Sequence, residues 1–187
     1  MSRIEFAHTQ RAAYPQLMHS VIDPDARLIW GYVKVGHNVG IGPFCLIGFQ
    51  GVGYTHEDGK WIHIPQVGKV IIGDNVHIFP GTHIQRGTVD DTVIMDGTII
   101  GHNCNIAHNC VIGENCMLTN NVVISGSVEI GDNVYIAPNV TIRDHVKIAD
   151  NVFIGQGSNV LKDCDKPGWV YYGSPVRPVR KREESDY

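Results

Sequence analysis

The sequence predicts an all-β protein folded as a left-handed parallel β-helix, a solenoid of hexapeptide repeats. The first observation behind this prediction is a period of six in the aliphatic residues. Twelve successive sixth positions carry a branched aliphatic side chain: Ile94, Ile100, Ile106, Ile112, Leu118, Ile124, Ile130, Ile136, Ile142, Ile148, Ile154 and Val160. The same step relates Ile72, Ile78 and Ile84, and before them Ile29, Val35, Ile41 and Ile47.

Two further observations concern the residues around each aliphatic position. The residue that follows is usually small, as at Gly101 and Ala107, and the residue four places on is small or β-branched, as at Cys110 and Val128. Neither an α-helix nor an alternating strand has this period. Each unit therefore predicts one short strand and a tight turn, and three units close one coil of the solenoid. The 19 units predict six coils and a little more, stacked about 4.8 Å apart.

The period divides the chain into three segments. Residues 1–22 are predicted to form an N-terminal cap, residues 23–165 the β-helix, and residues 166–187 a C-terminal tail that leaves the solenoid. Within the β-helix, a loop at 49–69 and a bulge at 86–91 interrupt the period. Loops that leave a regular solenoid often carry function. They can also cover a neighbouring subunit, and the two roles are compatible.

The composition argues against several classes of protein. The net charge of −4 disfavours a nucleic-acid partner, which normally requires a basic face. No apolar run is long enough for a membrane span and the N-terminal segment lacks a signal-peptide core, so we expect a cytoplasmic protein. The five cysteines include no Cys-x-x-Cys pair, and three of them follow the period. They are expected to be small buried side chains rather than disulfide partners or zinc ligands.

Residues one coil apart, three units along the chain, lie above one another in such a solenoid, so the period also predicts a candidate site. His108 stacks in one column with Gly126, Asp144 and Lys162. The column offers a general base, an unhindered backbone N–H for an oxyanion and a cation for a phosphate, which suits acyl transfer from a phosphopantetheine thioester. Gly126, Asp144 and Lys162 are therefore assigned to binding of the acyl-CoA. His145 lies two coils above His108 and one position around the corner. A solvated surface histidine is the alternative interpretation of His108.

A basic run in the tail is a second candidate for phosphate binding. Arg177 and Arg180 could contact the phosphates of coenzyme A. A solvated tail that balances Glu183 and Glu184 is the alternative.

Three segments of the chain resemble one family of enzymes. They are Asn105-Ile-Ala-His-Asn-Cys-Val-Ile-Gly, the loop that begins Phe49-Gln-Gly-Val-Gly-Tyr-Thr-His, and the bulge Arg86-Gly-Thr-Val-Asp-Asp-Thr-Val-Ile. In this order they resemble the UDP-3-O-acyl-glucosamine N-acyltransferases of lipid A synthesis, over roughly residues 29–162.

The resemblance implies roles for several residues. His108 would be the general base, Gly126 would supply the oxyanion N–H, and His145 would contribute to the substrate site. Asn109 and Tyr54, which lie in the same motifs, are assigned to substrate binding. The resemblance further implies a homotrimer with sites in the clefts between subunits.

Departures from this family change the expected donor. Only a short segment precedes the solenoid, where the family carries a uridine-binding domain, and its C-terminal helices have no counterpart. The segment from Lys166 to Arg180 is similar to the tail of CoA-dependent sugar acetyltransferases. The chain is therefore predicted to be an N-acyltransferase that moves an acetyl or short acyl group from acyl-CoA to an amino sugar or nucleotide amino sugar. An acyl carrier protein as the donor, as in lipid A synthesis, is the alternative.

Two other functions compete with acyl transfer. Gly101-His-Asn-Cys-Asn-Ile-Ala-His is similar to a segment of γ-class carbonic anhydrases, which hold zinc with three histidines at subunit interfaces. Two of those ligands are closer together in sequence than His102 and His108, and the bulge disturbs the register of His83, the third candidate. No metal is therefore expected. A non-catalytic trimer that only displays its loops is the other alternative.

Overall fold

The computed structural model describes residues 21–186, which consist almost entirely of short strands. In chain order these are β1 (Val21–Ile22), β2 (Arg27–Leu28), β3 (Val33–Val35), β4 (Gly40–Ile41), β5 (Leu46–Phe49), β6 (Tyr54–Glu57), β7 (Lys60–His63), β8 (Val70–Ile72), β9 (His77–Ile78), β10 (His83–Gln85), β11 (Thr92–Ile94) and β12 (Ile99–Ile100). They continue with β13 (Asn105–Ile106), β14 (Val111–Ile112), β15 (Met117–Leu118), β16 (Val123–Ile124), β17 (Glu129–Ile130), β18 (Tyr135–Ile136), β19 (Thr141–Ile142), β20 (Lys147–Ile148), β21 (Phe153–Ile154), β22 (Asn159–Val160), β23 (Trp169–Gly173) and β24 (Val176–Lys181). A short 3-10 turn follows at Glu184–Asp186. Within this range, no helix is long and apolar enough to span a membrane.

Three parallel sheets form the faces of a left-handed β-helix, as predicted. The first sheet runs β1-β4-β9-β12-β15-β18-β21 and continues into β23 and β24, the second runs β2-β5-β10-β13-β16-β19-β22, and the third runs β3-β8-β11-β14-β17-β20. Neighbouring strands in a sheet are one coil apart. In the second sheet, Asn105 pairs with Val123, Val123 with Thr141 and Thr141 with Asn159. This spacing confirms that three units close one coil.

The aliphatic side chains of the period fill the interior of the β-helix. Most of the largest fully buried side chains belong to it: Ile47, Ile84, Ile94, Ile100, Ile106, Ile112, Leu118, Ile124, Ile136, Ile142 and Ile154. Burying one such side chain contributes about 1.5–3 kcal/mol relative to leaving it exposed. The repeated aliphatic position therefore holds the coils together.

The cysteines are buried and free, which confirms their predicted place in the core. The thiols of Cys104, Cys110 and Cys116 donate to backbone carbonyls of the next coil at 2.9, 3.2 and 3.1 Å. Burial raises the pKa of Cys110 and that of Cys116 to about 11. Both thiols are therefore neutral at physiological pH, unlike reactive or metal-binding cysteines.

Both interruptions of the period leave the β-helix at the same corner, between the second and third sheets. The loop 49–69 connects β5 to β8 and contains the hairpin of β6 and β7, and the bulge 86–91 connects β10 to β11. The same corner carries the turns at 29–32, 107–110, 125–128 and 143–146. We call this corner the insertion edge. Both insertions consequently lie beside the turn that carries His108.

The two ends of the β-helix differ from the predicted boundaries. The strand β1 already pairs with β4, so the solenoid begins within the segment predicted as a cap. The rest of that cap, residues 1–20, lies outside the described residues. The tail does not simply leave the solenoid, because β23 continues the first sheet parallel to β21 and β24 folds back on it. This hairpin covers a strand edge that would otherwise be open.

Candidate active site

The turn that carries His108 is stacked in register with the turns above it. The strands that enter these turns, β13, β16 and β19, are each one coil apart. At the corner itself, the Ser127 N–H donates to the His108 carbonyl at 2.9 Å and the His145 N–H donates to the Gly126 carbonyl at 3.0 Å. The predicted stacking of His108, Gly126 and Asp144 is therefore present, with His145 next to Asp144.

The side chain of Asn109 holds the His108 ring in one tautomer. His108 Nδ1 lies 2.9 Å from Asn109 Oδ1. The bulge fixes this amide, because its Oδ1 accepts the Thr88 N–H at 3.0 Å and its Nδ2 donates to the Asp90 carbonyl at 3.1 Å. An amide oxygen only accepts, so Nδ1 carries the proton and Nε2 is left free to accept one. The Asn109 amide, predicted to bind substrate, is thus already used within the protein.

The absence of a side chain at Gly126 makes room for the His108 ring. A Cβ atom at this position would lie 2.7 Å from His108 Cε1 and 2.9 Å from Nε2. Nonbonded carbon atoms approach to about 3.5–4.0 Å. Any side chain at this position would therefore displace the imidazole, and glycine lets it lie directly against the next coil.

The backbone N–H of Gly126 makes no hydrogen bond to any of residues 21–186. At several positions of the other two corners, the equivalent N–H donates to an acidic or amide side chain one coil above: His102 to Asn120, Glu114 to Asp132 and Asp132 to Asp150, at 2.8–3.0 Å. Above Gly126 this residue is Asp144, whose carboxylate lies 3.1 Å from His145 Nδ1 instead. An open N–H beside an imidazole can donate to the oxygen of a reacting carbonyl.

His145 is an unusual residue for its position at the corner. It occupies a corner position with φ of +60°, where most other coils place asparagine, a residue that tolerates this conformation well. Its hydrogen bond lowers the pKa of Asp144. Both side chains are exposed on the insertion edge. Departures from a local rule are expected at functional sites, and the substrate-binding role of His145 stays a prediction. Asp144, predicted to bind the cofactor, is paired with His145.

The cations predicted to bind phosphate lie in two different parts of the fold. After β22 the register slips by two residues, because Ile148 pairs with Cys164. Lys162 lies in the shortened turn between β22 in the second sheet and this bridge to the third sheet, which is on the insertion edge. Its place above Asp144 stays a prediction.

The two tail arginines lie elsewhere in the fold. Arg177 and Arg180 belong to β24, in the first sheet, which faces away from the insertion edge of the triangular coil. The Arg180 guanidinium also binds the Asp186 carboxylate with both terminal nitrogens. Contact of these arginines with a cofactor at His108 would require a second subunit.

The loop 49–69 closes one side of the site. A Cβ atom at Gly51 would lie 3.2 Å from His108 Cδ2 and would overlap Gln85 Oε1. The Gly51 N–H donates to Oε1 of Gln66, which is buried. The period of six gives no signal for Gly51 or Gln66, because both belong to the loop, which does not repeat.

Arg86 ties the loop to the bulge. The residue is 8% exposed, and its Nε donates to the Gln66 carbonyl at 2.7 Å. The guanidinium carbon lies 3.8 Å from the centre of the Tyr32 ring. These contacts hold the loop in place beside His108.

Tyr54, predicted to bind substrate, lies on the hairpin of β6 and β7. Every residue of these two strands is exposed. The Tyr54 ring packs against His63 with the ring centres 5.2 Å apart. No contact between Tyr54 and the His108 column is found within residues 21–186, so its predicted role would also require a neighbouring subunit.

The histidines considered for zinc lie apart from one another. His102 occupies the corner between the first and second sheets, where it contacts Asn120 and Phe79. His83 is exposed on β10, and His108 lies on the insertion edge. Among residues 21–186, no group of three or more His, Cys, Asp or Glu is placed to hold a metal ion.

The repeats match the model of a known protein family. A family model described as bacterial transferase hexapeptide (six repeats) matches residues 91–126 and 127–162. These residues include His108, Gly126 and His145. The chain therefore carries hexapeptide repeats of the bacterial transferase type in the coils that form the candidate site.

Particular relatives share parts of the chain. It is 46% identical to UDP-3-O-acylglucosamine N-acyltransferase of Hydrogenovibrio crunogenus over 65 residues, which are 32% of this chain and 18% of that relative. The predicted resemblance is thus confirmed for a part of the chain that spans less than a fifth of the relative.

Two solved structures share the fold. The structure of LpxA, a UDP-N-acetylglucosamine acyltransferase from Bacteroides fragilis, has a TM-score of 0.75 at 23% identity, covering 86% of this chain and 60% of that one. LpxA from Acinetobacter baumannii has a TM-score of 0.59 at 28% identity, covering 86% and 72%. Both likenesses support the left-handed β-helix.

Proposed function

We propose that this protein is an N-acyltransferase in which His108 is the general base and the Gly126 N–H binds the oxyanion. One observation carries the proposal: an imidazole held in a single tautomer lies against a glycine whose N–H is open. The hexapeptide repeats of the bacterial transferase type in the same coils support it. The partial similarity to an N-acyltransferase also supports it.

The proposed reaction is the attack of an amine on a thioester. The amine nitrogen bonds to the carbonyl carbon, and the carbonyl oxygen becomes an oxyanion that accepts the Gly126 N–H. His108 Nε2 takes the proton that the amine loses. When the intermediate collapses, the carbon–sulfur bond breaks and the proton passes from His108 to the thiolate. The products are an amide and a free thiol.

The proposed donor is acetyl-CoA or another acyl-CoA, and the proposed acceptor is an amino sugar or a nucleotide amino sugar. An acyl carrier protein is the alternative donor. The similarity to a UDP-3-O-acylglucosamine N-acyltransferase supports an amino sugar as acceptor. A cytoplasmic location would give access to acyl-CoA.

The proposed assembly is a homotrimer. Apolar side chains form a ladder along the outer face of the first sheet: Ile99, Met117, Tyr135 and Phe153. Tyr135 and Phe153 stack with their ring centres 4.8 Å apart. A neighbouring subunit would cover this ladder and the exposed hairpin, and would supply the second wall of the site.

Substitution of His108 tests the proposed base. His108→Ala should lower kcat by about 10²–10⁴, the usual contribution of a general base, and should leave the KM for acetyl-CoA nearly unchanged. The measurement is release of free thiol from acetyl-CoA with glucosamine and nucleotide amino sugars as acceptors.

Two variants are matched controls. His102 occupies the same corner position as His108 on a different edge of the coil, so His102→Ala should retain most of the activity. His83→Ala should do so as well, because this side chain is exposed on β10. An equal loss of activity in His102→Ala and His108→Ala, together with activity that follows the amount of bound zinc, would contradict acyl transfer and favour a zinc enzyme.

A further inference from the structure

Gln85 occupies a position at which the residue after the inward aliphatic side chain is usually small. On the second sheet, the same position holds Gly48 one coil below and Ala107 one coil above. Ile84 before it is fully buried, as the period requires. Exceptions of this kind are expected where function overrides local rules.

A β-bulge sets the position of Gln85. The pairing of β10 with β5 shifts after Ile84, so that Gln85 lies opposite Phe49 and Gly48 is left over. Gly48 has a φ of +87°, and a Cβ atom there would lie 2.6 Å from Val33 Cγ2. This place therefore requires glycine, and bulges beside active sites commonly redirect a side chain.

The amide of Gln85 lies beside the His108 ring. Gln85 Oε1 and His108 Cδ2 are among the atoms nearest to the position that a Cβ of Gly51 would take. The Gln85 side chain makes no hydrogen bond to any of residues 21–186. A glutamine amide both donates and accepts, as does a hydroxyl group. The Gln85 amide is thus a group near the base that can recognise a hydroxyl.

We propose that the Gln85 amide binds a hydroxyl on the carbon next to the reacting amine, so that the acceptor is a vicinal amino alcohol. The inference rests on the proposed function. Because Gln85 Oε1 and His108 Cδ2 border the same point beside Gly51, we take the two groups that they bind to lie on neighbouring atoms of one small molecule. The hydroxyl donates to Oε1 of the Gln85 amide and accepts from Nε2 of the same amide. The amine gives its proton to His108.

Deoxy analogues of glucosamine test this assignment with acetyl-CoA as donor. The two hydroxyls next to the amine are removed one at a time, in 1-deoxyglucosamine and in 3-deoxyglucosamine. The wild-type protein should prefer glucosamine over one of the two by about three- to tenfold in kcat/KM, the contribution of one neutral hydrogen bond. Gln85→Met keeps the length of the side chain and removes its polar atoms. This variant should have the same kcat/KM for glucosamine and for the analogue that the wild type disfavours. Its KM for acetyl-CoA should be unchanged.

The controls separate this inference from the proposed function. His83→Ala, two residues away on β10, should keep the preference of the wild type. A preference that persists in Gln85→Met, or a wild type that uses all three amines equally, overturns the inference and leaves the acyl transfer standing. A wild type that releases no CoA with glucosamine overturns the proposed free amino-sugar acceptor, and the inference with it.

Discussion

The contact between Gly126 and the His108 ring gives a quantitative test of the site. In Gly126→Ala the new Cβ would lie 2.7 Å from His108 Cε1, against a nonbonded approach of about 3.5–4.0 Å. The ring must therefore move by roughly 1 Å, and a misplacement of this size costs about 10²-fold in rate. The backbone at Gly126 lies outside the left-handed region, so alanine is tolerated there and the N–H is retained. We expect kcat to fall by about 100-fold because the base is displaced.

Thiol release from acetyl-CoA measures this effect, and thermal unfolding shows whether the variant is folded. Gly31→Ala is a matched control, because Gly31 lies on the same insertion edge with no atom within 4 Å of its Cβ position. It should keep wild-type activity. A folded Gly126→Ala with wild-type kcat would show that catalysis does not need the ring against this glycine. An equal loss in Gly31→Ala would point to a general disturbance of the edge.

Two further predictions concern assembly and the tail. Light scattering at micromolar concentration should give the mass of a trimer, because the apolar ladder of the first sheet and the exposed hairpin require cover; a monomer would contradict both the assembly and a site shared between subunits. The hydrogen bonds from Arg180 lower the pKa of Asp186 to about 2, so this carboxylate stabilises the folded tail above its ordinary pKa and loses that effect as the pH falls from about 4 to 2. Thermal unfolding across that range should therefore depend less on pH in Asp186→Asn than in the wild type, and identical profiles would assign the acid sensitivity to other groups.

The sequence predicted the solenoid well because its core depends on one repeated position. Ile106, Ile124 and Ile142 occupy equivalent places in successive coils, so the same packing recurs and one local pattern describes many contacts. The stacking of His108 and Gly126 followed from the same spacing. The period no longer applies after β22, because the segment between β22 and the bridge at Cys164 is too short for a regular unit.

The sequence by itself determined the fold, the three-unit coil and the column that contains the proposed base and oxyanion donor. It could do so because a regular ladder converts spacing along the chain into position in space. Only the tertiary structure decided which groups surround His108. The bulge orients Asn109 through backbone atoms of Thr88 and Asp90, and the loop brings Gly51 beside Gln85. These segments do not repeat, so their paths depend on contacts between distant residues, such as Arg86 with Gln66, which no local pattern records.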